Sequence, residues 1–183
     1  HADPDIIASV NKWFIVSPCE VLISSLWTRF VPHFTTGRDV TGRIRGIPDE
    51  GMLIPLGDCQ LKAIPAHFMH SEGNFQFYDP VAKILFSGVL GVSLVDHAIA
   101  EQPVEDFEQH IPNMLGFHRR YMISNKILRF WANMVRQLDI EQIVPQHGQR
   151  FVGREMCNKL IDWLERLPCG IDLLTQDAYQ LPR

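Results

Sequence analysis

The chain has 183 residues, 46% of them aliphatic or aromatic and 21% charged, a globular composition with the length for one domain and a sizeable core. A formal net charge of -4 with no basic run argues against nucleic acid or an anionic membrane as the main partner, and no apolar run approaches the roughly 18 residues of a membrane span. Four scattered cysteines, Cys19, Cys59, Cys157 and Cys169, form no C-x-x-C pair and are too few for a disulfide scaffold, so reduced thiols and a cytoplasmic location are expected.

No signal-peptide pattern is visible, and a chain that opens on His1 is expected to be a piece of a longer protein. Residues 5–13, DIIASVNKW, predict a short helix, and CEVLISS predicts a buried strand. RIRGIPDEGMLIPLGDCQLKAIPAHF sets short apolar runs between Gly, Pro and Asp breakers, the pattern of a strand meander. NFQFYDPVAKILFSG adds two strands that turn at Asp79-Pro80, with Asn74, Gln76 and Tyr78 on one face and Phe75 and Phe77 on the other. From Tyr121 to Leu138, apolar positions recur every three to four residues at Ile123, Ile127, Phe130 or Trp131, Met134 and Leu138, predicting one helix of about five turns. IEQIVPQHG reads as a strand. Met156, Leu160, Leu164 and Leu167 mark a last helix from about Arg154, stopped by Pro168 and Gly170. The whole is a mixed α/β chain, a single domain over residues 1–183, whose C-terminal half packs helices on a sheet.

Three of the eight histidines stand in a telling context. His1-Ala2-Asp3-Pro4-Asp5 sets three potential ligands at alternate positions, and Pro4 is expected to keep the segment out of a regular helix, so that a loop carries the tripod. His70 hangs at the end of the strand LKAIPAHFM, and His147 does the same after IEQIVPQ. Strand ends on one rim of a sheet are where sites are built. Imidazoles and carboxylates brought together suit iron, zinc or manganese, with imidazole favouring the first two. Taken singly, a histidine beside a glycine is ordinarily a hydrogen-bonded turn residue, and His33, His67, His97 and His110 are read that way. The opening cluster is either a metal tripod or a capped turn.

HADPD, then HFMHSEGNFQFYDPVAKILFSGVLG, then IVPQHGQRF resemble the successive site motifs of the metallo-beta-lactamase superfamily. The closer likeness is to the diiron domain of flavodiiron proteins and of stand-alone oxygen-binding diiron proteins, and GFHRRYMISNKILRFWANMVRQLDIEQIVPQHG resembles the oxygen-binding group as well. The resemblance covers nearly the whole chain. It implies an αββα sandwich, and position by position it implies that His1, Asp3 and His70 serve one metal and Asp5 and His147 the other.

Three departures from that pattern matter. Ile6 stands where the general motif has a further histidine, which argues against a hydrolytic dizinc site; the oxygen-binding group tolerates an aliphatic residue there. SGVLG stands where the family has S-G-D-L-G, so Val89 replaces a carboxylate that bridges two metals. Two cations about 3.5–4 Å apart need bridging anions, and valine supplies none. The site is then degenerate, the valine is an introduced substitution, or another residue compensates, with His118, at the start of the predicted long helix, as the candidate and His33 and His97 behind it; against this, His118 also reads as a plain helix-start residue. Finally, the strands that precede the first motif in the family are missing before His1, so one sheet is expected to expose edges and apolar faces unless another chain covers them.

With redox-active iron, five protein ligands leave positions where dioxygen binds and takes electrons, chemistry that zinc lacks. The resemblance thus implies a protein that binds or senses oxygen, with two irons and zinc as the alternative metal. Slow reduction of dioxygen or nitric oxide is an extension of that activity. GIDLLTQDAYQLPR is too short to be the flavodoxin domain of family reductases, so an external electron donor or a signalling partner is expected, together with a homodimer. Two other readings compete: a metal-dependent hydrolase using metal-bound hydroxide, against which Ile6 and Val89 count, and a non-catalytic scaffold that has lost its metal pair.

Overall fold

The computed structural model describes residues 3–36 and 40–182, excluding the side chains of Pro4 and Asp5. It opens with α1 (Pro4–Ile7) and α2 (Val10–Val16) where one helix over 5–13 was expected. Pro4 does not hold the segment out of a helix. It occupies the first helical position, where a missing N–H costs nothing and the fixed φ is favourable, and the Asp3 carbonyl accepts from the N–H groups of Ile6 and Ile7 at 2.9 and 3.0 Å.

The strand predicted in CEVLISS is β1 (Val21–Ser24). It pairs in parallel with β2 (Ile44–Ile47), so β2 leaves the meander assigned to it and forms a two-stranded sheet with β1. The turn at Pro48 to Gly51 separates the two sheets; Gly51 donates to the Pro48 carbonyl at 2.8 Å. Arg43 ties this layer together, its guanidinium donating to the carbonyls of Phe14, Ser17 and Cys19.

The second sheet runs β3 (Met52–Leu56), β4 (Cys59–Pro65), β5 (Phe75–Asp79), β6 (Ile84–Gly88), β7 (Gln142–Pro145) and β8 (Phe151–Val152) in sequence order, with β6 and β7 parallel and the other pairs antiparallel. Register lines up Tyr78, Leu85, Ile143 and Phe151 on one face, all buried in the main core. That face carries α3 (Phe107–Tyr121), α4 (Asn125–Val135) and α5 (Arg154–Arg166), whose inner residues include Met114, Leu128, Trp131 and Leu160. Gln76 lies on the same face, where its Oε1 accepts from Trp131 Nε1 at 2.8 Å; a buried amide is tolerable when so paired. The opposite face carries Ala63, Phe75 and Phe77 against Leu22 and Ile47 of the two-stranded sheet. The α1 and α2 residues Ile7, Val10 and Phe14 then pack on Ile23. Helix, sheet, sheet, helix is the expected layering, with a thin N-terminal half and an open pocket of about 410 Å³ lined by α1, α2 and β1 together with Ile47, Phe75 and Phe77.

The single helix expected over 121–138 is instead two. α3 ends at Tyr121, the chain extends through Met122, and Ser124 in a β conformation caps α4. His118 therefore sits in the last turn of α3 and not at the start of a long helix.

Candidate metal centre

Of the five predicted ligands, the structure describes the side chains of Asp3, His70 and His147. His1 lies outside the described residues, as does the side chain of Asp5, whose backbone is in α1. Asp3 and His70 come together, with Asp3 Oδ2 3.4 Å from His70 Nε2. They are held there by different elements, Asp3 at the N-terminus of α1 and His70 in the loop between β4 and β5. The loop is closed by Phe68 N–H on the Ser71 carbonyl at 2.7 Å and by Ala66 N–H on the Asn74 carbonyl at 2.9 Å, and the Asn74 amide donates to the Met69 carbonyl. Backbone hydrogen bonds thus fix the position from which His70 projects.

The His70 ring is further bounded by α3. Phe117 meets it edge-on at 6.5 Å, and Tyr121 lies tilted against it at 5.9 Å. Phe117 and Tyr121 stack on one another at 4.8 Å, as residues four apart on a helix do. Sequence reasoning missed both residues. Their four-residue spacing was visible, but the helix that carries them was not recognised.

His147 follows β7 and is exposed. Its carbonyl accepts from Ser93 N–H at 3.4 Å, and Gly148 packs so closely on Ser93 that a Cβ there would lie 2.2 Å from Ser93 Oγ. With φ at +82°, Gly148 also takes a conformation that favours glycine. Among the described residues, no group of three or more His, Cys, Asp or Glu forms a metal-binding cluster.

Val89 lies in the turn that leaves β6. It is 5% exposed and belongs to the main core. His118 does not compensate for it. His118 Nε2 accepts from Gly91 N–H at 2.9 Å, and Nδ1 donates to the Met114 carbonyl at 2.8 Å, so both ring nitrogens are already engaged. Complete burial pushes its pKa down to about 4. It is a neutral pin between this turn and α3. His33 and His97 are exposed, His33 against the Phe30 ring at 6.5 Å. His67 Nε2 meets the Asp49 carbonyl at 2.8 Å, and His110 is buried edge-on to Phe151 at 5.8 Å.

Among the described residues, the donor types seen together at Asp3 and His70, a carboxylate and an imidazole, suit iron or zinc. Among the described residues, no helix is long and apolar enough to cross a membrane.

A family model described as ODP family beta lactamase matches residues 1–148. Among solved structures, the chain is 43% identical to the peroxy diiron species of the chemotaxis sensor ODP, covering 94% of this chain and 70% of that one with a TM-score of 0.85. The apo state of the chemotaxis sensor ODP from T. denticola is likewise 43% identical over 94% and 69% of the two chains, with a TM-score of 0.86. The rubredoxin oxygen:oxidoreductase of the anaerobe Desulfovibrio gigas shares the fold at 14% identity, over 90% and 41% of the chains, with a TM-score of 0.78. No curated protein matches the sequence.

Proposed function

This chain belongs to the ODP beta-lactamase family, within the metallo-beta-lactamase superfamily, and we propose that it is an iron-dependent oxygen-binding protein of the sensing kind. The observation that carries the reading is the 3.4 Å approach of Asp3, at the start of α1, to His70, in the loop between β4 and β5, a carboxylate and an imidazole from distant parts of the sequence. In this reading Asp3 and His70 hold one iron together with His1, and Asp5 and His147 hold a second. Bound iron supplies the redox chemistry through which dioxygen is held and takes up electrons.

The residues around the site have separable tasks. The loop hydrogen bonds and the Phe117 and Tyr121 rings orient the His70 imidazole, and orientation by surrounding groups is what makes a ligand effective. Gly148 lets the His147 segment lie against Ser93. Val89 brings no charge to the place where the family pattern has a bridging carboxylate, so the iron pair is held more weakly than with that bridge. That same buried valine favours a second reading, a fold that no longer keeps a metal pair.

Metal content per chain, measured by mass spectrometry after anaerobic loading with ferrous iron, separates the two readings, together with the visible spectrum before and after air. Between one and two irons with an oxygen-dependent absorption band is the expected result. No bound iron, or zinc with no spectral response, would overturn the proposal.

A further inference from the structure

The last turn of α3, the loop that carries His70 and the segment following α5 line an open groove of about 540 Å³. Its wall is apolar and exposed where a solvated surface would be polar: Tyr121 is 55% and Ile171 61% exposed, and Phe68 and Leu174 are partly so. Large apolar side chains gathered in one concavity mark an interaction site, unlike the same residues scattered singly. Arg119 and Arg120 also line it. Both are exposed, and neither takes part in an ion pair among the described residues. Glu72 is the carboxylate of the lining, so the balance of charge is positive on a chain whose net charge is -4.

We propose that this groove is the docking site for an acidic, leucine-bearing segment of a partner protein. Leucines would cover Tyr121 and Ile171, while carboxylates would meet the guanidinium forks of Arg119 and Arg120, a pairing that arginine geometry suits. Tyrosine and arginine are also the residue types that dominate binding energy at interfaces. The concavity fits one narrow segment better than a flat bilayer, and the acidic chain lacks the basic run that a membrane surface would need. His70 lines the same groove. A docked segment therefore lies against a residue assigned above to the metal, and its affinity should depend on iron, as linkage requires in both directions. This last step rests on the iron reading; the docking step does not.

The test titrates the full chain with a fluorescein-labelled synthetic peptide bearing leucines on one face and glutamates on the other, followed by fluorescence anisotropy with and without anaerobic ferrous iron. Saturable binding is expected. It should weaken about ten-fold or more when both arginines are reversed by Arg119→Glu and Arg120→Glu, in Tyr121→Ser, and for a matched peptide carrying lysine in place of glutamate. Circular dichroism melts verify that the variants fold. Absence of binding, or equal binding by the reversed-charge variant or by the lysine peptide, overturns the docking site. So does capture by phosphatidylglycerol vesicles in place of the peptide, or a dimer that sedimentation shows to depend on the same arginines. Equal peptide affinity with iron demonstrably bound overturns the linkage alone. Failure to bind iron overturns the linkage together with the functional reading, while the iron-free titration still judges the groove.

Discussion

At the turn after β6, Val89 is packed among apolar side chains and Gly91 N–H is held by His118. A carboxylate placed at residue 89 would enter that packing without a partner unless a cation were near. Val89→Asp should therefore cost about 1–3 kcal/mol of stability in the metal-free chain. If iron binds next to it, loading should recover much of that loss and raise the iron bound per chain, because a ligand held only by the native state stabilises it. Melting curves of both proteins with and without iron check this; a variant that iron neither stabilises nor occupies more fully would mean that residue 89 does not face the metal. His118 makes a separate prediction. Its folded pKa of about 4 lies below the ordinary histidine value of 6.5, so between those two pH values the unfolded chain takes up a proton that the folded chain refuses. Stability from this group is complete above about pH 6.5 and falls as pH drops toward 4, by roughly 3 kcal/mol at full effect. Urea midpoints followed from pH 7 to pH 4.5 should shift less in His118→Gln than in the parent chain, whatever the variant's stability at pH 7.

Elements differ in how openly the sequence announces them. α5 was readable from Met156, Leu160 and Leu164 with Pro168 beyond its end, because helical spacing and a breaker agree. The alternation in β5 was equally plain, and the structure puts Gln76 and Tyr78 toward the helices and Phe75 and Phe77 toward the other sheet. α3 escaped because Pro112 and Gly116 look like breakers inside it. The Asp106 carboxylate, accepting from Gln109 N–H at 3.1 Å, and the burial of Phe107, His110, Met114 and His118 outweigh them. Missing α3 hid the aromatic pair beside His70 and misplaced His118, so half of the site's surroundings was illegible for one reason: side chains from a distant helix meet the loop only after tertiary packing. The ligand candidates themselves came from spacing and from their places after apolar strands, and motif likeness grouped them into two metal sites. Of these, Asp3 and His70 are seen to meet, while spacing alone left a capped turn equally open. The β7 to β8 turn carries the element-scale prediction. Gly148→Ala adds a Cβ that would sit 2.2 Å from Ser93 Oγ, at a φ of +82°. It should cost about 2 kcal/mol or more and swing His147 away from its place after β7. A lowered melting temperature accompanied by lost iron is the expected pair of readings, and an unchanged melting temperature would contradict the close packing.

The layers of the molecule are unequal, and that inequality has a consequence for the chain in solution. Across the six-stranded sheet, register lines up Met52, Ala63, Phe77, Phe86 and Val144 on the face opposite α3, α4 and α5. The two-stranded sheet covers the Met52, Ala63 and Phe77 end of this row. Phe86 beyond it stays 43% exposed, as does Val152 on the edge strand β8. A partly exposed apolar sheet face beside the edge strand β8 favours association. The 183-residue chain should therefore bind the dye ANS while folded and show an apparent mass that rises with concentration in sedimentation velocity. Replacing Phe86 by Glu and Val152 by Lys should suppress both. Because these side chains are already half in water, the double variant should keep its stability to within about 1 kcal/mol. If suppression came with a large loss of stability, the two residues would be part of the core. If dye binding and association persisted unchanged, the exposed apolar surface that matters would lie elsewhere, and the groove beside His70 would be the next place to measure.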